Sequence, residues 1–325
     1  MIDLHCDLLG SIDWSGQKLG YESPETNCSL LQLEEGGVKL QVLAISGVPE
    51  MGSPLVESGQ SQILLYEQLL HQFPHRVGGY SQLSFADEKL YFLLGIENAA
   101  VLAEEDESIE VAIKRLESYL GIEKVLYVSL TWNGENRFGG GTGTDIGLKK
   151  DGEHLLEFLH EKKIAIDLSH ASDRLAHDIF TIMEKNHWNV PVMASHSNFR
   201  AVKDHPRNLP EEFVKEINRR QGVIGLNLVK KFVGNDPEDF LDHLQMGLEL
   251  APHAICMGAD YYGDATFFTP VNPSGVTSPY FDGLGNSSIY PHLQEILCSR
   301  VSLELIDSIF WKNGLRFINC CINKA

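Results

Sequence analysis

Ile164-Ala165-Ile166-Asp167-Leu168-Ser169-His170 is an apolar run that ends abruptly in a carboxylate and an imidazole. Three other stretches are written the same way: Met1-Ile2-Asp3-Leu4-His5-Cys6-Asp7, Leu93-Leu94-Gly95-Ile96-Glu97 and Val192-Met193-Ala194-Ser195-His196. In a strand, residues i and i+2 share a face, so His5 and Asp7 converge. The recurrence points to one metal site assembled at a single end of a sheet.

Working outward, strand-like apolar runs recur at 2–8, 38–45, 90–96, 124–130, 163–169, 191–195, 222–228 and 254–259. Helix-like stretches separate most of them, among them 62–72, 108–120, 152–162, 172–185, 210–220 and 237–250. Runs such as Val223-Ile224-Gly225-Leu226-Asn227-Leu228 are nearly continuous rather than alternating, as parallel strands covered on both faces require. Strands alternating with helices over this length predict an α/β fold, a (β/α)8 TIM barrel. A doubly wound sheet is the structural rival. Segments 291–300 and 302–313 read as extra C-terminal helices, and 10–35 and 262–290 as loops. No Pro/Ser-rich linker or composition break divides the chain, so residues 1–325 read as a single barrel domain.

Lys and Arg number 26 against 45 Asp and Glu, a formal charge of −19. With no basic stripe to offset it, that charge repels nucleic-acid backbones and anionic lipid. No run approaches the ~18 apolar residues of a membrane span. Asp3, His5 and Asp7 exclude a signal-peptide core at the start. The chain therefore reads as cytoplasmic, and its cysteines, without CxxC spacing, as free thiols.

In a barrel of this kind the C-terminal strand ends carry the chemistry. His5, Asp7, Glu97, His170 and His196 all fall there and suit zinc or a similar divalent ion. Glu97, with two oxygens, is the candidate bridge: His5, Asp7 and Glu97 on one ion, Glu97, His170 and His196 on the other. Two ions about 3.5–4 Å apart would acidify a shared water and polarise a carbonyl. Asp260, ending the last strand, would carry a proton from that water to the leaving amine. Taken singly, each residue has a plainer reading: a core histidine, a helix-start acid, or a hydrogen-bond pair for Asp167 and His170. Arg207 could bind a substrate carboxylate bidentately or be a surface arginine. Gly139-Gly140-Gly141-Thr142-Gly143-Thr144 lacks the GK[ST] ending of a phosphate loop and reads as a flexible rim loop. Further histidines, including His71, His154 and His243, read as surface residues.

The ordered set His5-x-Asp7, Gly95-Ile96-Glu97-Asn98, Asp167-Leu168-Ser169-His170, Ser195-His196-Ser197, Arg207-Asn208 and Gly258-Ala259-Asp260 resembles the renal (membrane) dipeptidase family. Those are binuclear zinc peptidases of the amidohydrolase superfamily. The resemblance implies two zinc ions, hydrolysis of a small dipeptide substrate with tolerance of a D-residue at its C-terminal position, and a homodimer. It also implies that Arg207 takes the substrate's terminal carboxylate and Asp260 the proton. One position departs: where the family has Leu-Thr-His, with the histidine assisting the scissile carbonyl, this chain has Leu130-Thr131-Trp132. An indole donates one hydrogen bond and carries no proton. Asn133 or Asn136 is the candidate substitute donor, which places Trp132 and Asn133 among the substrate-binding residues.

Two other readings compete. Deacylation, lactone opening or deamination is one, but the deaminase and dihydroorotase-like branches usually begin HxH and often use a bridging lysine on strand four, whereas this chain begins HxD and Lys124 lies at the wrong end of its strand. A metal- or peptide-binding protein catalytically weakened at Trp132 is the other. Turnover of a dipeptide separates them.

Overall fold

The computed structural model describes residues 1–263 and 278–322. Among the described residues nine parallel strands run in chain order: β1 (Ile2–Cys6), β2 (Leu40–Ser46), β3 (Val77–Gly79), β4 (Leu90–Glu97), β5 (Val125–Ser129), β6 (Ala165–Asp167), β7 (Val192–Ala194), β8 (Val223–Leu226) and β9 (Ile255–Met257). Each neighbour pairs with the next round the sheet, and β2 closes on β4, so eight strands form the barrel. Strand β3 is an addition that pairs only with the first residues of β4, Leu90 to Phe92. The (β/α)8 expectation holds and the doubly wound rival falls, because the β2–β4 pairing closes the eight strands on themselves.

The apolar runs are continuous because they are buried twice. Ile2, Leu4, Val42, Tyr91, Leu93, Met193 and Val223 fill the barrel, while Leu43, Phe92, Leu94, Ile166 and Ile224 face the helix layer. The C-terminal helix Asn313–Ile322 plugs the end opposite the site. Its Phe317, Ile318 and Cys321 join the interior cluster, and Asn313 Nδ2 donates to the Ile255 carbonyl at 2.9 Å. This helix runs beyond the expected 302–313 segment.

The expected 10–35 loop is partly helical, with Leu8–Trp14 and Leu30–Glu35 separated by a 3-10 turn at Pro24–Thr26. A capping box explains the second helix: Gln32 N donates to Ser29 Oγ, and Ser29 N donates to Gln32 Oε1. Such a cap contributes about 1 kcal/mol. The helix expected from 62 begins at Leu55, because Pro54 can start it and Ser58, Gly59 and Ser61, weak helix formers, are overruled by packing. Of the expected 262–290 loop, residues 264–277 lie outside the described residues, and 287–290 open a helical segment. All six cysteines are free. Among the described residues no helix is long and apolar enough to cross a membrane.

Candidate active site

Two bulges aim the site. Between Asp3 and Cys6, β1 holds one more residue than β2 does between Gln41 and Leu43. Strand β5 likewise gains a residue on β4 at Leu126. An extra residue at a barrel rim redirects the side chains that follow it. Here Leu126 and Tyr127 both enter the interior, and Tyr127 Oη lies 2.7 Å from His5 Nδ1. Gly95 makes room: a Cβ there would run into the Tyr127 ring. Gly95→Ala is expected to cost about 1–3 kcal/mol of stability by overpacking. Urea unfolding would show a lower midpoint at unchanged slope.

His5 Nε2 lies 3.5 Å from Asp7 Oδ2, 3.7 Å from Glu97 Oε2 and 3.6 Å from Asp260 Oδ1. It is buried and makes no hydrogen bond. Glu97 Oε1 faces the other way, 2.7 Å from His170 Nε2 and 3.6 Å from His196 Nε2, and these two nitrogens are 3.0 Å apart. The donor atoms gather into three overlapping groups, His5–Asp7–Glu97, Glu97–His170–His196 and His5–His196–Asp260, each within 4.8 Å. In the chain alone, burial pushes the Glu97 carboxyl up to about 8 and Asp260 up to about 7, with the Asp7 charge adding to both. Burial disfavours a charged His5, but Glu97, Asp7 and Asp260 outweigh it and raise the imidazole to about 10. His170 and His196 are held well below the usual range, first by burial. Crowded carboxylates, two neutral imidazoles and an orphaned ring nitrogen are a donor set that fits divalent cations.

Each imidazole is also braced from behind. His196 Nδ1 donates to Ser195 Oγ at 2.8 Å, which donates at 2.8 Å to Asp167 Oδ2. Asp167 further accepts from Ser129 Oγ, Ser169 N and Ser195 N, so it ties β5, β6 and β7 together and does not pair with His170. His170 Nδ1 donates to Asn133 Oδ1 at 3.0 Å. Ser46 Oγ donates to Asp7 Oδ1.

Asp260 is held by backbone as well as side chain. Its N–H donates to the His5 carbonyl at 3.2 Å, Asp7 N–H donates to the Tyr261 carbonyl at 2.8 Å, and Asn227 Nδ2 donates to Asp260 Oδ2 at 2.7 Å. Asp260 has φ of 63° and Asn98, next to Glu97, φ of 79°. Such conformations cost about 1–3 kcal/mol each and collect at functional sites.

Arg207 is not a surface residue. It is buried, with its guanidinium over the Phe232 ring at 5.1 Å and Nη2 3.5 Å from the His196 carbonyl, while Nη1 has no partner. Trp132 stacks on His170, ring centroids 5.8 Å apart at 25°. Asn136 is committed elsewhere: Nδ2 donates to Asn98 Oδ1 and the Leu130 carbonyl, and Oδ1 accepts from Phe138 N and Gly139 N. That withdraws it as the substitute carbonyl donor. The glycine-rich stretch is packed, not free, bonded to Asn133, Gly134 and His170. His243 is fully buried between Phe199 N and the Val233 carbonyl, contrary to expectation, because its helix turns that face inward.

Sequence reasoning gave no role to Tyr127, Ser195, Asn227 and Ser46. Their signal was a polar group inside or at the end of an apolar run, weak because buried hydroxyls and amides are common in strands.

A closed parallel barrel with this cluster at its C-terminal mouth defines an α/β-barrel protein with a candidate metal centre. The model of the membrane dipeptidase family (peptidase family M19) matches residues 1–321, and the chain belongs to that family of metallopeptidases. It is similar to the dipeptidase aclJ of Aspergillus oryzae, 23% identical across 97% of this chain and 71% of that one. An uncharacterized protein from the PQQ-III 3' region of Acinetobacter calcoaceticus is 28% identical, the match covering 46% of each, less than half of that relative's length. Among solved structures, a metallo peptidase from Rhodobacter sphaeroides liganded with a phosphinate mimic of L-Ala-D-Ala superposes with a TM-score of 0.76 at 19% identity, over 98% of both chains. At that identity the likeness establishes the fold.

Proposed function

We propose that the protein is a binuclear zinc dipeptidase. The observation that carries this is the division of Glu97, whose Oε2 faces His5 and whose Oε1 faces His170 and His196. His5, Asp7 and Glu97 would hold one ion, and Glu97, His170 and His196 the other. When bound, two such ions supply an acidified water and an electrophile for the scissile carbonyl.

The chain's own groups do the rest. Arg207 is a buried cation with an unpaired Nη1, and a dipeptide's terminal carboxylate satisfies it bidentately. That anchors the substrate with its peptide carbonyl toward Glu97. Asp260 Oδ1 takes a proton from the attacking water as the C–O bond forms, and delivers it to the amine nitrogen as the C–N bond breaks. Asn227 keeps Asp260 Oδ2 in place meanwhile. Glu97, Arg207 and Asp260 are all buried, and the lower local dielectric strengthens each of these interactions.

The test is elemental analysis of zinc-loaded protein together with turnover of L-Xaa-L-Xaa and L-Xaa-D-Xaa dipeptides. Two ions per chain and cleavage are expected, and a chelator should abolish both reversibly. Two ions without cleavage of any dipeptide would move the assignment to another amide or ester. Arg207→Met should lower kcat/KM for a dipeptide roughly 10²–10³-fold, as charged hydrogen bonds contribute about 1.5–3 kcal/mol each. Toward the same dipeptide as its C-terminal amide, variant and parent should be equally slow. An equal loss on both substrates would deny Arg207 the carboxylate role.

A further inference from the structure

We propose that Asn133, locked by the glycine-rich loop, is the positioning residue that fixes His170 for metal binding; this rests on the binuclear reading above. The other two imidazoles are braced by groups on or beside barrel strands, Tyr127 for His5 and Ser195 for His196. His170 is braced from the rim instead, by an Oδ1 that can only accept, so Nδ1 carries the hydrogen and Nε2 offers its lone pair toward Glu97 Oε1.

A half-buried asparagine on a connecting segment would ordinarily be a loose brace. Here the segment is clamped. Thr142 Oγ1 donates to Asn133 Oδ1 at 3.0 Å, and Gly143 N donates to the Asn133 carbonyl at 2.8 Å. Gly141 N donates to the Gly134 carbonyl at 2.9 Å, and Thr142 N to the His170 carbonyl at 3.0 Å. One loop thus grips both the brace and the backbone of the residue braced. It can do so only because Gly141 lacks a side chain: a Cβ there would collide with the Trp132 carbonyl. Trp132 covers a face of the same imidazole, so the ring is held at an edge and on a face. The departure Trp132-Asn133 and the glycine run, unrelated in the sequence, become one device.

The experiment is a stepwise zinc titration of the full chain in competition with a chromophoric chelator, with folding followed by circular dichroism. Asn133→Leu should weaken one of the two zinc sites by about 10–100-fold, the loss typical of an outer-shell partner. The weakened step should be the one a His170→Ala control abolishes, with the other step unchanged. Asn133→Asp, which keeps the acceptor, should restore binding. Thr142→Val, which leaves Asn133 in place but unlocked, should weaken the same step by less. The proposal is overturned if Asn133→Leu leaves both steps unchanged, if it weakens both equally, or if Asp fails to rescue. Should Asn133→Leu not fold, an unchanged titration of Thr142→Val overturns it. Fewer than two zinc ions on the parent protein would instead bring down the binuclear reading itself.

Discussion

Glu97→Gln is expected to leave the protein folded but able to hold only one ion tightly, with kcat reduced roughly 10³-fold or more. The carboxylate offers one oxygen to each half of the cluster, 3.7 Å from His5 Nε2 and 2.7 Å from His170 Nε2. A carboxamide keeps the shape and loses one donor atom, since its NH₂ cannot ligate. The half facing that NH₂ retains two side-chain donors, too few for a closed site. A paired-ion site stabilises transition-state charge by several kcal/mol, and each 1.36 kcal/mol is a factor of ten. Elemental analysis and single-turnover kinetics on one preparation check both halves of the statement. A variant that retains two tightly bound ions would remove Glu97 from the bridging position.

Asp260→Asn is the second large effect, and it should separate binding from chemistry. Asparagine can keep a hydrogen bond to Asn227 and the backbone bond to His5, so the position stays built. It cannot accept the proton at Oδ1. Loss of a positioned acid–base group typically costs about 10²–10⁴ in rate. The expected result is a fall of that size in kcat with KM and metal content little changed. Because Asp260 also lies in a donor group with His5 and His196, the opposite outcome has a meaning: loss of an ion would make Asp260 a ligand first.

Both variants act on residues whose type and chain position announce them. A carboxylate or imidazole closing an apolar run is a local signal, since burying such a group without partners is costly. The barrel was equally legible, because continuous apolar strands require cover on both faces and the intervening helices supply it. What stayed hidden was shorter than the periodicities that can be read, such as the three-residue strand Val77–Gly79 and the helices within 10–35.

By itself, then, the sequence determined the eight strands of the barrel and the donor side chains that close them at their C-terminal ends. Only the tertiary structure decided how those groups meet. The extra residues in β1 and β5 bring His5 and Tyr127 together, and no local pattern marks a bulge whose partner strand lies far away in sequence. Asp260 joins His5 and Asp7 because the segment after β9 is hydrogen-bonded to the end of β1, more than 250 residues earlier. Arg207 is a buried, half-satisfied cation, not a surface arginine, because Phe232 and the His196 backbone close over it. These are long-range contacts, whose energies depend on which surfaces the folded barrel apposes.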